Sequence, residues 1–212
     1  MLDLHLPQGT SFDEALTRYL PSWHRQAVPD DRKQREFTIA VEVRRLPRGR
    51  YTLRIRGRDL EVEAGLPDRG QDLWIATEKR VVERVVADMC GPHLLVPRAM
   101  PGESPVRIVT DPLLIERVLM SQGIVHATIE GIPEGKDNLW VAMGVGRRYA
   151  KHIDPEEATL RMTAPYELFR RVAGGQLDPS KAISTPEMRI DGSRMLAMQL
   201  ALVSTLLIPA KG

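Results

Sequence analysis

Between residues 37 and 64 the side chains change character at almost every step, and a period of two admits one backbone conformation. Phe37, Ile39, Val41 and Val43 alternate with Thr38, Ala40, Glu42 and Arg44, and Leu46-Pro47-Arg48-Gly49-Arg50 supplies a turn. Tyr51, Leu53 and Ile55 then alternate with Thr52, Arg54 and Arg56, and after Gly57 a third run carries Leu60, Val62 and Ala64. This predicts an antiparallel meander with one apolar face. A fourth strand, Asp72 to Ala76, runs into Thr77, a good N-cap residue, after which Val81, Val82, Val85 and Met89 share one helical face.

The same order returns 86 residues later. Ile132-Pro133-Glu134-Gly135-Lys136 echoes the first turn, and Val125, Ala127 and Ile129 fall on Ile39, Val41 and Val43. At that offset Leu139 and Val141 fall on Leu53 and Ile55, while Thr163 falls on Thr77 ahead of a helix faced by Leu168, Phe169 and Val172. Met188-Arg189-Ile190-Asp191 before Met195-Leu196 resembles Val106-Arg107-Ile108-Val109 before Leu113-Leu114. The expectation is an α+β protein of two tandem units, each an antiparallel-rich sheet with helices covering one face. Residues 1–35 would be an N-terminal helix and linker, 36–122 the first unit and 123–212 the second.

The flanking signals are local. Ser11-Phe12-Asp13-Glu14 is a capping box that opens a helix through Phe12, Leu16, Tyr19 and Leu20, and Pro21 should stop it. Val28 to Arg35 reads as a polar linker, Cys90 to Ser104 as a Gly- and Pro-rich loop, and Asp111-Pro112 opens a helix from Leu113 to Met120. The longest apolar stretch, Met195 to Pro209, is broken by Gln199, Ser204 and Thr205 and is shorter than the ~18 to 20 residues of a bilayer span, so it predicts a buried or groove-lining helix. Met1 to Pro7 carries no basic n-region and no apolar h-region, so no secretory signal is expected.

With 42% hydrophobic and 27% charged residues the chain can build a core. Thirty Lys+Arg against 28 Asp+Glu leave a formal charge of +2, which gives no field to attract nucleic acid. One cysteine, Cys90, excludes an intramolecular disulfide, suits a reducing cytoplasmic location, and reads as a buried or loop thiol. No phosphate loop, nucleophile elbow or HExxH is present, and His5, His24, His93, His126 and His152 lack ligand spacing, so neither metal nor cofactor is expected. Gly144-Val145-Gly146 sits in strand context and reads as a bulge or turn. Flexible apolar side chains concentrate in the second half, at Met162, Met188, Met195 and Met198, where thioethers suit an irregular pocket or fill core gaps.

A series of motifs in that half resembles the sterol carrier protein 2 (sterol-transfer) domain family. It comprises Ala158-Thr159-Leu160-Arg161-Met162-Thr163, Glu167-Leu168-Phe169, Gly174 to Ala182 with its Leu177-Asp178-Pro179 core, and Arg189-Ile190-Asp191-Gly192-Ser193. Two departures stand out: Pro186-Glu187 replaces the Gly-Lys often found before the family's last strand, and the first half has no Asp-Pro segment. The resemblance implies an apolar tunnel between sheet and helices that binds lipid, fatty-acyl or sterol- and isoprenoid-like groups. Met162, Tyr166, Leu168, Phe169, Met188, Ile190, Met195, Met198, Leu202 and Leu206 are its candidate lining, with Arg161, Tyr166 and Arg189 as headgroup contacts. The expected function is carriage of a hydrophobic small molecule.

Two other classes stay open at this point. An enzyme, a cyclase or isomerase, would use the same pocket with His126, Tyr166 or Asp191 for acid-base work. An interaction module would present the apolar helices to a partner protein. His126, Thr128 and Glu130 otherwise read as an ordinary polar strand face, and Trp140 on that face suggests a cover, either the other unit or a second chain in a homodimer. Arg44, Arg45, Arg48, Arg50, Arg54, Arg56 and Arg58 form either a patch for anionic headgroups or an acyl carrier, or a solvated face balanced by Glu36, Glu42, Glu61 and Glu63.

Overall fold

The alternating stretches become strands of one large sheet. The computed structural model describes residues 2–28, 36–67, 70–100, 112–133, 138–145 and 154–207. β1 (Leu2–Asp3) pairs with the short β6 (Ala99–Met100); the other strands are β2 (Phe37–Arg44), β3 (Arg50–Arg56), β4 (Asp59–Ala64), β5 (Leu73–Glu78), β7 (Gly123–Glu130), β8 (Leu139–Val145), β9 (Leu160–Pro165) and β10 (Arg189–Gly192). These eight form a single sheet in the order β10-β9-β7-β8-β5-β2-β3-β4. The helices are α1 (Phe12–Glu14), α2 (Leu20–Ala27), α3 (Lys79–Met89), α4 (Pro112–Met120), α5 (Tyr166–Ala173), α6 (Pro179–Ala182) and α7 (Arg194–Leu207).

Each half contributes an antiparallel hairpin and a parallel return. β2 pairs antiparallel with β3 and parallel with β5, and β7 pairs antiparallel with β8 and parallel with β9. The halves do not keep separate sheets: β5 and β8 pair antiparallel, from Leu73 opposite Val145 to Ala76 opposite Ala142. Nor is the offset of 86 uniform. Ile39 faces Leu53 and Val125 faces Met143, so Met143 rather than Leu139 takes the place of Leu53, and Val141 takes that of Tyr51. The second hairpin has a longer connection, which shifts its return strand by four residues. Glu134 to Lys136 of the second turn, Gly146, and the expected strand at Val106 to Val109 lie outside the described residues, as do residues 29–35 of the linker.

Alternation sorts the sheet into two faces. Phe37, Ile55, Leu73, Val125, Val145 and Leu160 point to one side and join Val86 and Met89 of α3, Val118 of α4, and Leu196, Ala197 and Val203 of α7 in one apolar cluster. Burial of such side chains is worth ~25 cal/mol per Å². The opposite face is closed by small residues: Ala40, Ala76 and Ala142 are fully buried beside Trp74 and Ile124, with Trp140 half-buried against them. The N-terminal segment packs on the first side. Leu2, Leu4 and Leu6 alternate inward, and Leu6 N–H donates to the Met89 carbonyl at 2.9 Å.

Three helix boundaries differ from expectation. Ser11 caps α1 by accepting from Glu14 N–H at 3.1 Å, but Pro21 does not end the helical run. The chain widens into a π-turn over Ala15–Tyr19, with Leu20 N–H bonded to the Ala15 carbonyl, and resumes as α2 with Pro21 in its first turn. A wider turn relieves the clash between a proline ring and the carbonyl below it, and a first turn needs no N–H there. Thr77 is not an N-cap: it is the fifth residue of β5, its Oγ1 donates to the Trp140 carbonyl at 2.6 Å across the seam, and Glu78 occupies the cap position. Thr163 likewise lies within β9, and Pro165 precedes α5. In both places the strand continues to pair beyond the threonine, and pairing outweighs a single side-chain cap.

Candidate functional site

The second half assembles its candidate lining in two layers. Met162 on β9 and Ile190 on β10 face each other in register, and both pack half-buried on the main core together with Leu200 of α7. Leu168 is buried on α5, and Phe169 packs half-buried on a cluster of Val81, Leu95, Ile132, Leu139 and Tyr166. Asp178 caps α6 by accepting from Ser180 N–H at 2.7 Å, and α6 lies against α7. Met188 is half-buried just before β10.

α7 divides its apolar residues between two faces. Leu196, Ala197, Ala201 and Val203 are buried, whereas Met195, Met198 and Leu202 are 73%, 59% and 54% exposed. At 3.6 residues per turn these three form one outward stripe. Met120, at the end of the neighbouring α4, is 70% exposed. The structure therefore does not bring Met195, Met198 and Leu202 together with Met162 and Ile190: they lie on opposite sides of the same helix. Leu206 falls in the last turn of α7, and its side chain is outside the described residues.

The polar candidates separate as well. His126, Arg161 and Asp191 lie in one cross-strand row on the sheet face away from the helices. Arg161 Nη1 donates to His126 Nδ1 at 3.2 Å, which places the imidazole proton on Nε2, a buried nitrogen without a partner among the described residues. Burial, and then the Arg161 charge, push the His126 pKa down, so the ring is neutral near pH 7. Trp140 meets the ring edge-on at 5.3 Å. Tyr166 is on the other side of the sheet, where its hydroxyl donates to the Leu94 carbonyl at 3.1 Å and accepts from Arg170. The three candidate acid-base groups thus form no common centre. Arg189 pairs with Glu130 at the surface. Among the described residues, no group of three or more His, Cys, Asp or Glu is arranged to hold a metal ion.

The first half holds a cleft that the sequence reading did not single out. About 540 Å³ opens between residues 8–13, the β2–β3 turn and α3, lined by Phe12, Leu46, Pro47, Tyr51, Val86 and Cys90 among others. Cys90 is buried, and its Sγ donates to the Pro7 carbonyl at 3.1 Å. The Tyr51 hydroxyl donates to Asp13 Oδ1 at 3.0 Å, with Phe12 edge-on to its ring. An aromatic residue two places after a Pro-Arg-Gly turn, on the apolar register of its strand, is the signal that marks this cleft in the sequence. Burial, followed by the Asp13 carboxylate, raises the Tyr51 pKa from 10.0 to about 12. The fold favours the neutral phenol. Its contribution is therefore full below pH 10 and lost as pH climbs to about 12. A near-ultraviolet absorbance titration should show one late phenol that Tyr51→Phe removes, and an unchanged curve in that variant would refute the assignment.

The model of the SCP-2 sterol transfer family matches residues 111–203, which span α4 to most of α7. No curated protein matches the chain. Among solved structures, the chain is similar to sterol carrier protein 2 from Yarrowia lipolytica in its apo form, at 13% identity over 50% of this chain and 88% of that one, with a TM-score of 0.33. It is also similar to sterol carrier protein domain 2 of Helicoverpa armigera, at 20% identity over 49% and 80% of the two chains, with a TM-score of 0.34. No helix of the described residues is long and apolar enough to cross a membrane.

Proposed function

We propose that the chain binds and carries a hydrophobic small molecule of the lipid, fatty-acyl or sterol class, and that the second half holds it. The observation that carries this reading is α7, a helix with one apolar face docked on the sheet and a second, Met195-Met198-Leu202, left in solvent. Stripes of this kind mark a place where apolar surface is meant to be covered. A match of residues 111–203 to a sterol transfer family supports a lipid as that cover. In this reading the ligand enters between α7 and β10, rests on Met162, Ile190 and Leu200, and is closed over when α7 turns its outer thioethers inward. Thioether side chains tolerate that repacking because they are unbranched and polarizable. The gain is area taken from water, with few polar anchors. The division into two tandem units, 36–122 and 123–212, belongs to the same proposal and rests on the shared hairpin-and-parallel-return pattern of the two halves.

Native mass spectrometry of freshly purified protein, followed by organic extraction, tests the reading. A discrete apolar mass that disappears on extraction is the expected result. Met198→Lys should lower loading about tenfold, equivalent to ~1.4 kcal/mol, with little change in melting temperature because Met198 is already exposed. A clean apo mass, together with no saturable binding of fatty acids or sterols on titration, would overturn it.

A further inference from the structure

The β2–β3 turn, residues 45–49, carries a second feature that the proposed function leaves unused. Arg45 and Arg48 hold left-handed backbone conformations, with φ of 64° and 57°, where glycine is the unstrained choice. Gly49 closes the turn, and no other residue fits: a Cβ there would sit 2.3 Å from the Val43 carbonyl oxygen. Arginine at each of these positions carries backbone strain that glycine would relieve.

Beside this turn lies a groove of about 600 Å³ whose lining includes Arg44, Arg45, Arg48 and Arg50 against a single carboxylate, Glu42. Arg44, Arg45 and Arg50 already have partners. Arg50 reaches Glu42 at 3.3 Å, and Arg45 lies 3.8 Å from Glu78. Arg48 pairs with no acid among the described residues, and it lines both this groove and the cleft of about 540 Å³. Two carboxylates also line the cleft: Asp13, which accepts from the Tyr51 hydroxyl, and Glu83, which lies 3.5 Å from Lys79 at the surface. The cleft thus meets a cationic groove at Leu46 and Arg48, of which Arg48 carries the charge.

We infer that the first half contains a separate site for a single-chain anionic amphiphile, whose hydrocarbon lies in the cleft between Phe12, Leu46 and Val86 and whose acid head is held by Arg48. The volume is within the range of small-molecule pockets, and a charge-assisted hydrogen bond from a guanidinium suits a carboxylate or phosphate head. The site lies wholly outside residues 111–203 and does not depend on the α7 reading.

Laurate labelled with ¹³C at its carboxyl carbon is the probe, with 1-dodecanol as its uncharged counterpart, titrated into the full chain by calorimetry and NMR. Arg48→Gly should weaken laurate about tenfold, leave dodecanol within about twofold, and hold or raise the melting temperature, because glycine relieves the left-handed strain. Ala87→Trp, at an exposed helix position lining the cleft, should weaken both ligands. Met198→Lys should change neither at this site. Laurate affinity unaltered by Arg48→Gly and Ala87→Trp, or no saturable laurate binding, overturns the inference. Binding that responds only to Met198→Lys overturns it too, while leaving the α7 site standing.

Discussion

Replacement of Asp88 by alanine is expected to cost about 4 kcal/mol and to lower the melting temperature by about 10 °C. Asp88 sits near the end of α3, is 3% exposed, and accepts three backbone N–H groups from the loop that follows: Leu94 at 2.6 Å, Leu95 at 2.9 Å and Val96 at 2.9 Å. That wrap drives Leu95 into the cluster beneath α5 and presents the Leu94 carbonyl to the Tyr166 hydroxyl. Alanine would strand three donors, each costing about 1 to 3 kcal/mol when buried, and would free the loop from α5. Asp88→Asn keeps one acceptor oxygen and should recover about half the loss. Thermal unfolding followed by circular dichroism reads the effect, and a midpoint within about 2 °C of the parent would show that the loop is held by other contacts.

Gly192→Ala should be comparably severe but local. Gly192 ends β10 at a φ of 96°, and a Cβ there would lie 2.3 Å from the Thr159 carbonyl oxygen and 3.4 Å from Leu160 Cα, both backbone atoms that cannot swing aside. The same carbonyl accepts from Ser193 N–H at 2.9 Å, at the entry to α7. Overpacking and the positive φ together cost about 3 kcal/mol or more. Relief requires β10 to part from β9, which releases α7 with it. Hydrogen exchange should therefore show residues 189–203 losing protection while β2–β4 keep theirs. Uniform protection across the sheet in the variant would contradict the account.

What could be read from the residues was mainly what depends on neighbours in sequence. The period-two runs of β2, β3, β4 and β7 gave their apolar faces correctly, because alternation is a property of one strand. The two threonines failed as caps because a strand's end is set by its partners in the sheet, which the linear pattern does not contain. Pro21 failed as a stop for a related reason: a π-turn five residues long absorbed it, and no composition signals such a turn. Leu2, Leu4 and Leu6 alternate inward in the fold, a strap whose partner strand, Ala99–Met100, lies far along the chain and so leaves no local signal. Of the candidate pocket residues, Met162, Leu168 and Ile190 are half-buried or buried, while Met195, Met198 and Leu202 lie on a helix apolar around more than one face, where sequence alone does not assign a face.

Because β5 and β8 are paired along four residues, the stretch recognisable by its sequence is smaller than the unit that folds. Excising residues 111–203 would strip β8 of one neighbour and leave the edge from Ala142 to Val145, now paired with β5, with unanswered N–H and C=O groups in solvent. The remaining half would be cut open along β5 in the same way. Such edges pair with whatever strand is nearest, including those of other copies. The two halves are therefore bound to a common fate in folding and in degradation, and neither can be transplanted without a new strand, helix or partner to seal the seam.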